Sequence, residues 1–111
     1  MATATFIQQG IALDYRPSVD TPAGTVVVLA DLVGVAVQAI KANQLGSLAV
    51  EGVFEFPKNN GIALEQGQNV FWDANENVVE SWQSSGFHHA LGKVAESASG
   101  SKTKVRVRLS Q

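Results

Sequence analysis

Two glutamates, two adjacent histidines and a run of alternating basic residues are the side chains of this sequence whose types could do chemistry. Glu51 and Glu55 stand four positions apart in an alternating stretch. On a strand that spacing separates them by about 13 Å, beyond the roughly 5–9.5 Å used by carboxylate pairs in glycoside hydrolysis. They read as solvent-facing residues or cross-strand charge partners. His88 and His89 are the only histidines, and there is no cysteine. Neighbours on a strand point to opposite faces, so the two cannot readily share one metal ion; one is expected half-buried and the other exposed. Serines are plentiful, but none sits in a Gly-x-Ser-x-Gly elbow, and no Gly-x-x-x-x-Gly-Lys-Ser/Thr phosphate loop occurs. The expectation is a protein with no catalytic residues, no cofactor and no metal.

Lys102, Lys104, Arg106 and Arg108 alternate with Thr103, Val105, Val107 and Leu109, so four of the eight basic residues form one stripe on the last strand. A stripe of this kind can contact nucleic acid, or it can be a polar strand face paired with acidic neighbours such as Glu51, Glu55 or Glu80. Single-strand binders add stacking aromatics, and this stripe has none. That favours the polar face, or an acidic protein partner. Trp72, Trp82, Phe71, Phe54, Phe56 and Phe87 fall in or near predicted strands, and most are expected in the core. Phe71 and Trp72 must point to opposite faces, which leaves one of them for an interface.

These side chains need strands to position them. The stretch from Leu45 to Pro57 alternates so that Leu48, Val50, Gly52, Phe54 and Phe56 share one face, and Ser47, Ala49, Glu51, Val53 and Glu55 the other. Gly46 gives a turn before this strand and Pro57 ends it. Gly52 marks a bulge, a bend or a close backbone approach. Further strands are predicted at Ile11 to Tyr15, Thr25 to Leu29, Leu32 to Val37, Gln68 to Trp72, Val78 to Trp82, Phe87 to Ala95 with an interruption at Gly92, and Thr103 to Leu109. The pieces flanking Asp73 to Asn77 read as a hairpin. Gln38 to Gln44 reads as a loop or a single helical turn, although Leu32, Val35, Ala36, Ala39 and Ile40 also fit a helical period. The fold class is therefore mainly β: a small antiparallel barrel or sandwich of short strands with at most one short helical turn. Residues 1–10 form an N-terminal arm or edge strand, and residues 11–111 a single β-rich domain.

Composition narrows the setting. A chain of 111 residues is one domain, long enough to bury a core without disulfides or metal. Its opening residues lack a basic region and a long apolar run, so no signal peptide is expected, and no membrane span is expected either. The protein is expected to be made and kept in the cytosol. A net charge of −2 argues against general affinity for nucleic acid. Only 16% of residues are charged, a sparse surface that suggests neighbours more than open solvent.

Several segments in order carry a likeness: Asp31-Leu32-Val33-Gly34-Val35-Ala36-Val37, the turn at Gly46, Val50 to Lys58, Gln66-Gly67-Gln68-Asn69-Val70-Phe71-Trp72-Asp73, Leu91 to Ala95, and Val105-Arg106-Val107-Arg108-Leu109. Together they resemble the small capsid cement, or head decoration, proteins of tailed bacteriophages. The resemblance implies a β-rich subunit, often a homotrimer, on the outer capsid surface of the virion, assembled in the host cytoplasm and bridging neighbouring capsomers. Its implied partners are the major capsid protein and other copies of itself, and it implies no catalysis. Within that reading the arm, especially Thr5, Phe6 and Gln8, is expected to face the capsid, because an apolar pair follows a small polar tail with no turn to anchor it. The competing reading is a small nucleic-acid-binding β-barrel that acts through the basic stripe.

Overall fold

The computed structural model describes residues 3–5, 10–83 and 88–110. These form nine strands: β1 (Ala12–Tyr15), β2 (Val26–Leu29), β3 (Leu32–Val35), β4 (Gly46–Ala49), β5 (Gly52–Pro57), β6 (Asn69–Asp73), β7 (Val78–Glu80), β8 (His88–Glu96) and β9 (Lys104–Leu109). All pairings between strands are antiparallel, in a four-stranded sheet ordered β1-β4-β3-β2 and a five-stranded sheet ordered β5-β9-β8-β6-β7. The expected β class holds, as a sandwich and not a closed barrel. No helix occurs among the described residues, and the Gln38 to Gln44 segment is a loop.

Alternation explains most of these strands. On β9, Val105, Val107 and Leu109 are buried while Lys104, Arg106 and Arg108 are exposed. The buried three join Phe56, Val70, Trp72, Val79, Leu91 and Val94 on the inner face of the larger sheet. Val33 and Val35 of β3, with Val26 and Val28 of β2, cover that core from the smaller sheet. The opposite face of the smaller sheet has its own cluster, Ala36, Ile40 and Leu48, with Tyr15, Val27 and Leu29 packed around it.

The stretch from Leu45 to Pro57 is not one strand. It divides into β4 and β5, which lie in different sheets. Gly52 adopts φ +113°, a conformation that side-chain-bearing residues rarely reach, and the chain turns there from one sheet to the other. Of the readings open for Gly52, the bend is the one observed. The shared face consequently dissolves: Leu48 packs in the small cluster and Phe56 in the main core. Gly46 opens β4 instead of forming a turn before it.

Strand β8 continues through Gly92, but its ladder with β6 is irregular beside it: Val70 pairs with Gly92 and Phe71 with Ala90, leaving Leu91 as an extra residue. A Cβ at Gly92 would stand 1.9 Å from the Arg108 carbonyl oxygen, so the glycine lets β8 and β9 approach. A second irregularity comes at Ala95, where the register with β9 shifts from Val94↔Val107 to Glu96↔Arg106. Without that extra residue Glu96 would fall opposite inward-facing Val105; the bulge returns its carboxylate to the solvent side.

Gly92→Ala should lower unfolding stability by about 1–3 kcal/mol or more, because the new methyl meets backbone and not a yielding side chain. Gly10→Ala, where nothing lies within 4 Å of the added Cβ, should stay within about 0.5 kcal/mol of the parent. Urea unfolding of the two variants beside the parent checks both values, and equal losses would contradict the packing argument.

Candidate functional site

The loop between β6 and β7 is built by a carboxylate. Asp73 Oδ1 accepts hydrogen bonds from the amides of Asn75 at 2.9 Å and Glu76 at 3.0 Å, closing an Asx-type turn. Its Oδ2 faces His88 Nε2 at 3.2 Å, and His88 Nδ1 lies 2.7 Å from the Trp82 carbonyl oxygen. The Trp82 ring packs on the imidazole with centroids 4.3 Å apart. His88 is opposite Asp73 in the β6–β8 register and is only 7% exposed, while His89 is half-buried. The expectation of one half-buried and one exposed histidine is thus corrected: a carboxylate directly across the strand pair makes burial of His88 affordable, since both ring nitrogens have partners.

Chemically, this cluster clamps a hairpin. Each ring nitrogen of His88 already faces an acceptor; a neutral ring donates to one of them and an imidazolium to both. Neither is left facing a hydroxyl that it could activate. Among the described residues no group of three His, Cys, Asp or Glu is placed to hold a metal ion. Glu51 lies just before β5, exposed, while Glu55 is on the strand with its carboxylate 3.9 Å from Lys104 Nζ.

The basic residues occupy the outer face of the larger sheet, ordered in rows by register. Pro57 pairs with Lys104, Glu55 with Arg106, and Val53 with Arg108; across β8, Glu96 adjoins Arg106 and Lys93 adjoins Arg108. Arg106 Nη1 reaches Glu96 Oε2 at 3.4 Å. Lys102 lies in the exposed turn before β9. Of the acidic neighbours expected beside this stripe, Glu55 is there. Glu80 is buried on β7, at the opposite edge of the sheet, and Glu51 forms no ion pair among the described residues. Glu96 takes part instead, through the bulge at Ala95.

Two shallow grooves flank this face. One of about 340 Å³ is lined by Glu55, Glu96, Lys102, Lys104 and Arg106 among others, so its walls carry both signs of charge. The second, about 230 Å³, lies between Leu32, Val50, Glu51 and Arg108. Trp82, 55% exposed, is an exception to the expectation that most aromatics are core, which Phe56, Trp72 and Phe54 follow; its carbonyl and ring contact His88 at the rim of the hairpin. Trp72 is buried and Phe71 half-buried, as their opposite directions require. Thr5 is exposed; Phe6, Gln8 and Phe87 lie outside the described residues.

The sequence reading missed the Asp73–His88 link. Its one local signal was an aspartate opening the turn-forming run Asp73-Ala74-Asn75-Glu76-Asn77; the histidine partner is contributed by a different strand.

The Glu76 amide first, then the Asn75 amide and the nearby His88, hold the Asp73 carboxyl below its ordinary value against the opposing effect of burial. A depressed carboxyl contributes stability that is present above its unfolded value, about pH 3.9, and lost as pH falls through the folded one. Asp73→Asn should therefore cost about 1–3 kcal/mol near neutrality, and the gap from the parent should narrow steadily below about pH 4. Chemical unfolding from pH 7 down to pH 2.5 checks this, and a gap constant with pH would contradict it.

A family model described as phage cement protein matches residues 7–109. That span takes in all nine strands. No curated protein and no solved structure matches the chain.

Proposed function

The chain belongs to the phage cement protein family, and from that premise we propose that it binds the outside of the assembled capsid and cements neighbouring capsomers. Family membership carries a phage structural role and a place in the virion. The finer reading is a non-enzymatic subunit, acting as a homotrimer, whose partners are the major capsid protein and its own copies. The observation that carries it is the match over residues 7–109, which embraces both sheets and is not confined to one motif.

The physics of cementing suits such a molecule. Three copies closed around a three-fold axis present three identical contacts to a lattice of matching symmetry. Engaged together, modest contacts multiply through effective concentration. A ligand that favours the assembled shell shifts the equilibrium towards it, with no chemical step.

For the capsid-facing element we favour the N-terminal arm, with Thr5, Phe6 and Gln8. The arm precedes β1 in the chain, and β1 is an edge strand of the smaller sheet. The competing nucleic-acid reading would use Lys102, Lys104, Arg106 and Arg108, but Glu55 and Glu96 share that face and would repel a phosphate chain.

Deleting residues 2–8 should reduce occupancy on capsid shells that lack the protein by about tenfold or more, a loss shared among several linked contacts. The isolated protein's melting temperature should stay within about 2 °C, because terminal segments contribute little to global stability. Shells saturated with intact protein should also withstand a higher temperature than bare shells. Full occupancy by the truncated chain would remove the arm from the interface.

A further inference from the structure

The outer face of the larger sheet is unevenly neutralised. In the row Glu55–Arg106–Glu96 a cation sits between two acids, and Lys104 has Glu55 within 3.9 Å. The next row reads Val53–Arg108–Lys93–Asn69. Here two cations stand directly opposite each other on adjoining strands. Neither forms an ion pair among the described residues; Lys93 Nζ donates to Asn69 Oδ1 at 2.5 Å. Like charges directly opposite on a sheet are destabilising. A chain with net charge −2 nevertheless places two of its eight basic residues there, both exposed. Val53, 56% exposed, completes the row on the edge strand β5.

We propose that the Val53–Arg108–Lys93 row is a docking surface for a carboxylate-bearing segment of the capsid subunit, an inference that rests on the cement reading. An acidic side chain laid between Arg108 and Lys93 relieves their repulsion, and the Arg108 guanidinium offers a planar fork matched to a carboxylate. Val53 supplies apolar contact beside the charges. A peptide segment fits better than a nucleic acid. The row holds two cations and no aromatic ring, whereas Glu55 and Glu96 border it and interrupt any track for successive phosphates.

The test is binding of the full chain to expanded heads that lack it, measured at several salt concentrations, for the parent, the double variant Lys93→Gln with Arg108→Gln, and Lys104→Gln. The double variant should bind about tenfold more weakly with a shallower salt dependence. Its melting temperature should equal or exceed the parent's, since the mutual repulsion is gone. Lys104→Gln, whose charge Glu55 already offsets, should change affinity less than about twofold. If the parent binds heads and the double variant binds equally tightly with the same salt dependence, the docking surface is wrong and the cement reading stands. A parent that does not bind heads overturns both. A short DNA duplex bound by the parent and released by the double variant would replace the acidic segment with a phosphate partner.

Discussion

Strand β9 has to bury Val105, Val107 and Leu109 while keeping Lys104, Arg106 and Arg108 in water, and the rest of the larger sheet is arranged to let it. Each buried aliphatic side chain contributes about 1.5–3 kcal/mol. A slip of one residue in either direction would exchange at least two of the three for charged groups and the third for a charged or polar one, so the register is strongly specified. Gly92 lets β8 come close enough to pair with β9, and the bulge at Ala95 keeps Glu96 on the solvent side next to Arg106. On the other flank β5 sets Phe54 and Phe56 opposite Val107 and Val105, building the aromatic part of the core. One strand's alternation thus places the core on one face and the charges on the other.

The same alternation made β9 legible in the sequence. Its period is two without a break, its apolar residues are β-branched or leucine, and turn formers precede it. The β6–β7 hairpin was legible for similar reasons, because Asp73 to Asn77 has the chemistry of a tight loop. The division of the Leu45 to Pro57 stretch was not. Alternation continues across Val50, Glu51 and Gly52 as though nothing happened, and a glycine reads alike whether it bulges, bends or lets a neighbour approach. In the structure Val50 and Glu51 belong to neither strand, and the positive φ of Gly52 marks the turn from β4 into β5. The Asp73–His88 pair was hidden by distance along the chain, since a histidine's partner across a strand pair depends on register. The exposure of Trp82 was hidden for the converse reason: its position near a strand promised burial, but its contact is with one imidazole at the rim.

For a protein that works by binding, this division of labour matters more than any pocket. The core is apolar and the hairpin is held by a carboxylate and an imidazole whose polar atoms face partners within the protein. What faces outward on the larger sheet is a sparse set of charges, ordered by strand register. Such surfaces are weak singly. In the proposed role they would act many times in fixed geometry on a shell, where effective concentration converts modest contacts into durable attachment.

The central claim is attachment to the assembled capsid in a fixed stoichiometry. Co-sedimentation of the full chain with expanded heads that lack it, counting copies per shell as the concentration rises, tests this most directly. Saturation at three copies for each three-fold position occupied is the result this account predicts. Absence of binding by the folded protein, or binding that rises without a plateau, would contradict it.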